Sequence, residues 1–385
     1  MLNKQGERAL VYLALVDDIQ EITFLNDKGE LENCANIVKL VTGGWNLVVQ
    51  RNRFEVGELF VYCETDCILP KDVELFSFLE GKRIKTKKLK GVVSQGVAFT
   101  IPEILDVINT RFNTIPIAAE DYAKYSELLG PVAEYDEGDD WTELVGAVKY
   151  DEYTSEKGGN NAVKMMPGDA RGKFPAFIPK TDEERIQNLA KELKYDYAGK
   201  LVIEREKLHG SSVTIYAKVD SAHDDLPSRL DFGICSRNFE LHLHSAETNN
   251  YVKTGLPALH KLLTYCLDSK TSLALQGELV GPGVNGNPYA LPELTIRFFT
   301  AYDINEKYRY TDKELMHLLA DLELEPCPFI SFTELSSDMD EVITQADAKS
   351  ALNPKYDREG KVVRAIDSSF SFKVISNKWL LKEKD

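Results

Sequence analysis

Apolar residues along this chain recur mostly in short alternating runs, the spacing of half-buried strands. Trp45-Asn46-Leu47-Val48-Val49-Gln50 alternates, and Phe54 to Tyr62 carries a Val56-Gly57 turn into the β-forming run Leu59-Phe60-Val61-Tyr62. A further strand pair is expected around Arg83-Ile84-Lys85-Thr86 and Gly96-Val97-Ala98-Phe99-Thr100. Many short strands of this kind suggest a small β-barrel such as the five-stranded OB-fold. Residues 101–130 read as helical, Glu103 to Asn109 and then Ala118 to Leu129. From Gly130 to about Gly172 the periodicity dissolves. Acidic and glycine-rich pieces there, Asp136-Glu137-Gly138-Asp139-Asp140 and Lys157-Gly158-Gly159-Asn160-Asn161, mark a linker or a surface excursion.

A second pattern begins after Phe174. Thr181-Asp182-Glu183-Glu184 reads as a helix start, with Thr181 as N-cap and Glu184 at the third position. Leu201-Val202-Ile203 and Val213-Thr214-Ile215-Tyr216 are expected strands. Leu256 to Leu267 is an apolar-periodic helix with Pro257 in its first turn. Strands at Leu273 to Val280 and Ile296 to Ile304 precede a helix around Thr311 to Leu322. The chain closes with strands near Lys361 to Ile366 and Ser371 to Ile375. The expected class is α+β: an OB-like β-barrel domain over residues 1–130, a linker over 131–172, and an antiparallel sheet with helices over 173–385.

Composition changes this picture little. Residues number 385, hydrophobic content is 43% and charged content 28%, which suits two soluble globular domains. No apolar run reaches the about 18 residues of a membrane span, and the polar start, Met1 to Arg8, lacks a secretory signal. An intracellular, cytoplasmic protein without membrane contact is expected, and no obligate protein partner is evident. Six cysteines are spread thinly, and Cys63 and Cys67 have no second pair at zinc spacing. Buried reduced thiols are the expectation. His242 and His244 alternate on one strand face without a third ligand nearby, so they read as surface residues.

Charge is more informative in its distribution than in its sum. The formal net charge of −16 argues against a nucleic-acid partner at first sight. Yet between Lys82 and Lys90 six of nine residues are basic, including Arg83, Lys85, Lys87 and Lys88, while acids concentrate elsewhere. A basic strip on an acidic body suits a localised phosphate contact. The alternative for the strip is a solvated strand face.

Candidate chemistry lies in charged residues set among apolar strands. Glu206-Lys207-Leu208-His209-Gly210 sits between two expected strands, and Gly210 allows close approach of the backbone to a ligand. Ser236-Arg237-Asn238 follows Phe232-Gly233-Ile234-Cys235, and Gln276-Gly277-Glu278 ends Leu273-Ala274-Leu275. Arg358-Glu359-Gly360 precedes a strand, and Lys373 lies inside Ser371-Phe372-Lys373-Val374-Ile375. Unpaired charges in such places are costly. A polyanionic ligand with a divalent metal would supply partners.

The ordered set Lys207-x-His-Gly, Ser-Arg-Asn, Gly-Glu278, Phe-Phe-Thr-Ala-Tyr-Asp303, Glu359-Gly and Phe-Lys373 resembles the covalent nucleotidyltransferase superfamily of ligases and capping enzymes. The Lys-x-His-Gly form and the stretch Phe174 to Arg185 are similar to the RNA ligase 2-like branch. The stretches Gly57 to Pro70 and Lys85 to Gly96 resemble the OB-type domain that nick-sealing RNA ligases carry ahead of the catalytic domain. The resemblance implies an adenylylation domain over 173–385, an ATP-grasp-like antiparallel sheet plus helices. It implies an ATP-dependent RNA ligase that seals 3′-OH/5′-phosphate nicks in duplex RNA or an RNA–DNA hybrid, through AMP carried on Lys207 and an adenylylated 5′ end. Mg²⁺ or Mn²⁺ would be held by Glu278 and Glu359. Lys373 would neutralise the α-phosphate. Arg237 would contact the sugar-phosphate, Glu206 would help recognise adenine, and Tyr302, with Phe299 as second choice, would stack on the purine. Ile375 stands where the family commonly has a second lysine, and Lys378 is the candidate replacement. The last motif lies near the end of the sequence at Asp385, which favours the RNA ligase reading over capping. Two rival readings are a GTP-dependent capping-type nucleotidyltransferase and a catalytically dead nucleic-acid-binding protein.

Overall fold

The computed structural model of the chain describes residues 8–25, 28–114, 134–150, 168–220 and 229–382. It divides into two compact units: Met1–Asn161 with Glu184–Leu193 and Leu380–Asp385, and Ala162–Glu183 with Lys194–Trp379.

The first unit is built from short antiparallel strands. In chain order they are β1 (Val11–Leu15), β2 (Asp18–Leu25), β3 (Leu31–Thr42), β4 (Trp45–Gln50), β5 (Leu59–Cys63), β6 (Cys67–Ile68), β7 (Lys87–Leu89), β8 (Val92–Ser94) and β9 (Val97–Phe99). Helices α1 (Ile101–Thr114) and α2 (Thr142–Val145) follow, then β10 (Val148–Lys149). The ladders run β1-β5-β9, β2-β3-β4, β6-β10 and β7-β8. The central pair, β1 and β5, is buried on both faces, which explains its continuous rather than alternating apolar pattern. Leu13, Val61 and Phe99 pack with Trp141 on one side. Tyr12, Phe60 and Tyr62 pack with Trp45 and Leu47 on the other.

Three expectations shift here. Residues Arg83 to Thr86 form no strand; β9 pairs with β5 instead, and the basic residues run into the β7–β8 hairpin. Lys90 and Gly91 at its tip both have positive φ, 48° and 87°, as a two-residue turn between twisted strands requires. Of the two helices expected over 101–130, the first runs on to Thr114; Ala118 to Leu129 lies outside the described residues. Part of the stretch read as a linker is integral to this unit. Trp141 is 1% exposed, its backbone N–H donates to the Val11 carbonyl, and β10 pairs with β6. A single buried indole outweighs the acidic surroundings that disguise it.

The helix expected to start at Thr181 begins later. A 3₁₀ turn spans Ile186–Leu189 after an extended Arg185, and Glu184 accepts a hydrogen bond from Asn188 Nδ2 at 2.7 Å instead of closing a capping box. Ile186 and Gln187, buried within the first unit, decide where that turn forms.

The second unit holds two antiparallel sheets. Its strands are β11 (Ala170–Lys173), β12 (Leu201–Lys207), β13 (Ser211–Asp220), β14 (Arg229–Cys235) and β15 (Phe239–Leu241). After helix α3 (Asn250–Ser269) come β16 (Leu273–Val280), β17 (Thr295–Asp303), β18 (Tyr308–Arg309) and α4 (Asp312–Asp321). Then follow β19 (Phe329–Glu334), α5 (Met339–Thr344), β20 (Gly360–Ala365), β21 (Ser371–Ile375) and α6 (Asn377–Leu380). The larger sheet has the order β11-β15-β14-β13-β16-β17-β18, the smaller β19-β12-β20-β21. Alternate residues of β13 and β16, including Val213, Ile215, Leu273 and Leu275, pack against Leu259 and Leu262 of α3 and Leu315 and Leu319 of α4. The opposite face of the larger sheet is left for Glu278.

Helix α3 starts six residues before the expected Leu256. Asn249 caps it by accepting from the Tyr251 and Val252 N–H groups, so Pro257 sits in its interior rather than its first turn. Helix α4 carries the capping box of Thr311 and Glu314. His242 is the N-cap of a 3₁₀ turn and His244 lies within it, rather than both alternating on a strand. All six cysteines are free and buried. No helix among the described residues is long and apolar enough to cross a membrane.

Candidate active site

Lys207 is the last residue of β12, directly opposite Gly360 at the start of β20. Glu359 therefore enters beside it, and its Oε1 lies 2.8 Å from Lys207 Nζ. Both groups are largely enclosed, with side-chain exposures of 27% and 12%. Gly360 is required by this arrangement: a Cβ there would stand 2.1 Å from the Val374 carbonyl of β21.

The loop after Lys207 is held from several sides. The Gly210 N–H donates to Glu278 Oε1 at 3.1 Å, and Asn285 Nδ2 donates to the Gly210 carbonyl at 2.6 Å. Gly210 does allow a close approach, but to β16: a Cβ there would lie 2.3 Å from the Leu279 carbonyl. His209 N–H donates to the buried Tyr289 hydroxyl at 2.7 Å, and the His209 ring packs against Trp379 with centroids 5.3 Å apart. His209 Nδ1 lies 4.0 Å from Glu359 Oε2.

Electrostatics mark Glu278 as the unusual group. Burial pushes its carboxyl up to about 7, the nearby Glu359 carboxylate adds to the rise, and Lys207 opposes it. Glu359 Oε2 is itself buried with no hydrogen-bond partner. Two carboxylates, one reluctant to ionise and one with an orphan oxygen, thus face a single ammonium. A buried carboxyl so displaced, beside a lysine and a second carboxylate, is a functional signature.

Cross-strand partners share a face of a sheet. Arg205–Val362–Lys373 and Lys207–Gly360–Ile375 are two such rows, so Lys373 lies on the Lys207 face. Ile375, 4% exposed, occupies the row of Lys207 itself. Lys378 pairs through its ammonium with Asp357 at 3.2 Å. Arg237 forms an exposed pair with Asp182, while its charge reaches Glu278 and favours the carboxylate.

Glu206 projects from the opposite face of β12. Its Oε2 accepts the Ala351 N–H at 2.8 Å, its Oε1 is buried without a partner, and burial raises its carboxyl. The two candidate stacking aromatics of β17, Phe299 and Tyr302, separate. Phe299 packs with Leu208, Val280 and Tyr289 around the Lys207 loop. Tyr302 packs with Ile178, Tyr216 and Ala274. Since Ala274 precedes Glu278 by four strand residues, Tyr302 stands roughly 13 Å along the sheet from it. Phe299, the second choice, is the aromatic beside the loop. Tyr289, Asn285 and Trp379 were not signalled by any motif; only Trp379, close behind Lys373, stood near one.

The basic strip divides as well. Arg83 is half-enclosed, pairs with Asp66 at 3.2 Å and lies over the Tyr150 ring at 4.6 Å. Lys85 is half-buried, and Lys87 and Lys88 are exposed on the hairpin.

Comparison with known proteins identifies both domains. Residues 200–379 match the RNA ligase family model, and residues 13–101 match an OB-fold domain model. No curated protein matches the chain. Among solved structures, a Lys-to-Met mutant of Naegleria gruberi RNA ligase with AMP and Mn superposes with a TM-score of 0.76 at 28% identity, covering 98% of this chain and 100% of that one. A Lys-to-Ala mutant of the same ligase with ATP and Mn gives 0.75 at 27%, covering 97% and 99%. That ligase with PPi gives 0.75 at 28%, covering 98% and 99%. The chain thus joins an OB-fold domain to a domain of the RNA ligase family, which makes it an enzyme of the class that forms phosphodiester bonds.

Proposed function

We propose that this protein is an ATP-dependent RNA ligase that seals 3′-OH/5′-phosphate nicks through a lysyl-AMP intermediate. The observation that carries the reading is the meeting of Lys207, Glu359 and Glu278 in one enclosed cluster. Lys207 Nζ attacks the α-phosphorus of ATP; the N–P bond forms, the bond to the β-phosphate oxygen breaks, and pyrophosphate leaves. An amine attacks only when neutral. The Glu359 carboxylate at 2.8 Å holds the side chain in place but favours its charged form, so the proton has to leave before attack. Lys373, on the same face, stands to balance charge on the α-phosphate. Phe299 supplies the apolar wall for the purine, and Arg237 contacts the sugar-phosphate. A 5′-phosphate oxygen then attacks the AMP phosphorus and frees Lys207. Attack of the 3′-OH on that activated 5′-phosphate expels AMP and closes the nick.

A divalent cation fits the donors present. Among the described residues no group of three or more His, Cys, Asp or Glu side chains could hold a metal. Mg²⁺ and Mn²⁺, however, suit one or two carboxylates completed by waters and substrate phosphates, and the orphan Glu359 oxygen with Glu278 matches that need. When bound, the cation offsets phosphate charge and biases Lys207 toward its neutral form.

Lys87 and Lys88, with Lys85, are the residues proposed to hold the nucleic-acid backbone, and the proposed substrate is a nicked RNA duplex or an RNA–DNA hybrid. The test is incubation with labelled ATP or GTP and Mg²⁺, followed by acid denaturation. Label from ATP that disappears in Lys207→Ala is the expected result. Label from GTP would indicate capping chemistry, and no label at all would indicate a catalytically silent binding protein.

A further inference from the structure

Lys207 and Glu278 stand on different sheets: β12, with β20 beside it, lies in the smaller one and β16 in the larger. Strand pairing sets Lys207 against Glu359, but no ladder of hydrogen bonds sets it against Glu278. That relation falls to Leu208, His209 and Gly210, which carry the chain from β12 into β13. Side chains, rather than other backbone, hold this connection. The His209 N–H donates to the Tyr289 hydroxyl at 2.7 Å, the Gly210 N–H to Glu278 Oε1 at 3.1 Å, and Asn285 Nδ2 to the Gly210 carbonyl at 2.6 Å. The connection therefore reaches Glu278 itself, and Tyr289 fixes it one residue earlier.

Tyr289 is also the residue on which both sheets converge. It lies between β16 and β17 of the larger sheet, is 0% exposed, and packs with Leu208, Val280 and Phe299. From the smaller sheet, Asn353 Nδ2, ahead of β20, donates to the Tyr289 carbonyl at 2.9 Å. Trp379, after β21, stacks over the Tyr289 ring with centroids 6.3 Å apart and packs against the His209 ring at 5.3 Å. Ala290, next in the chain, has a φ of 48°, which a residue with a Cβ keeps only where its surroundings impose it. Filling this space needs only the ring; what the hydroxyl adds is an acceptor for one N–H. An enclosed donor without its acceptor is costly, so the connection would shift to recover one. We infer that Tyr289 is a positioning residue: its hydroxyl, braced by Trp379, clamps the Leu208–Gly210 connection and so holds Lys207 in its working relation to Glu278. The inference rests on the lysyl-AMP reading for its kinetic consequence, though not for its geometry.

The test is Tyr289→Phe in the full-length protein, which keeps the ring beside Phe299 and removes only the acceptor. Without nucleotide, hydrogen–deuterium exchange should rise severalfold in peptides covering residues 208–210 and stay unchanged in those of β16. With ATP and Mg²⁺, the KM for ATP should stay within about twofold while kcat for self-adenylylation falls about tenfold, the mark of a misplaced rather than unbound substrate. Trp379→Ala should show the same fall in kcat, and Trp379→Phe, which restores a ring, should recover most of it. A purely structural tyrosine predicts instead a lower melting temperature with kcat unchanged in the folded protein. Unchanged exchange at residues 208–210 overturns the clamp, and faster exchange with unchanged kcat overturns its part in the chemistry. Wild-type protein that takes no label from ATP overturns the ligase reading alone, because the exchange comparison still decides the clamp. Should Tyr289→Phe not fold, Trp379→Ala, at a partly exposed position, takes its place. It is then expected to speed exchange at residues 208–210 and lower kcat, and no change in either overturns the proposal.

Discussion

Replacing Glu278 by Gln isolates the electrostatic cost built into the site. The amide oxygen still accepts from the Gly210 N–H, so the local hydrogen bond survives while the ionisable group is gone. In the unliganded protein the Glu278 carboxyl is raised from 4.5 to about 7. At about 1.4 kcal/mol per pH unit, that displacement corresponds to roughly 3 kcal/mol. The sign follows from linkage: a carboxyl whose folded-state value is raised contributes stability below pH 4.5 that is lost as pH rises through 7. Relative to Glu278→Gln, the wild type is therefore disadvantaged by roughly 1 kcal/mol at pH 5 and roughly 3 kcal/mol at pH 8. For a unit of this size roughly 2–4 °C accompanies each kcal/mol, so the variant should melt roughly 6–12 °C higher at pH 8 and only a few degrees higher at pH 5. Thermal melts of both proteins in EDTA at the two pH values measure this directly. Adding ATP with Mg²⁺ should reverse the order at pH 8, since only the wild type offers the cation a carboxylate. An equal difference at both pH values, or a variant less stable than the wild type at pH 8 in EDTA, would refute the assignment of Glu278 as a strained carboxylate.

The same group predicts that the rate of ATP labelling at subsaturating Mg²⁺ falls about tenfold per pH unit below 7, because a protonated Glu278 cannot ligate; a flat rate between pH 5.5 and 7 counts against it. Gly210→Ala should cost roughly 1–3 kcal/mol in urea unfolding and slow labelling, since its Cβ would meet the Leu279 carbonyl at 2.3 Å. Lys87→Ala with Lys88→Ala should leave labelling intact while lowering the salt slope of nicked-duplex binding by roughly 2, at about one per phosphate contact. Arg83→Ala, by contrast, should show in the melting of the first unit through loss of Asp66 and Tyr150, with a smaller change in that slope.

Much of the site was legible because its chemistry is carried by unusual residues in ordinary places. Lys207 and Glu359 stand at the end and just before the start of strand-forming runs, Glu278 and Lys373 lie within them, and the structure has strands at all four places. Alternation along β12 even separates Lys207 from Glu206. What alternation could not rank was Phe299 against Tyr302. A bulge where Gln276 and Gly277 face Thr300 and Phe298 shifts the phase of β17, and its position is a property of the pair of strands rather than of either one. Tyr289 and Asn285 were invisible for a related reason. They come from a loop whose contacts with the Lys207 segment span 75 to 80 residues of sequence.

The sequence by itself determined the element types, the covalent order of the charged residues and the division into a strand-rich first part and an α+β second part. Local propensity and apolar period act over a few residues, and a sequence displays them openly. Only the tertiary structure decided register, partner and burial. It drew Trp141 out of an acidic stretch into a core, moved the expected helix start at Thr181 to Ile186, and engaged Lys378 with Asp357. It also buried Lys361 completely, behind the sheet, while Lys373 is only partly buried. A charge within an apolar strand must find a partner, but which face it takes and which partner it finds depend on strands brought together from far apart in the chain.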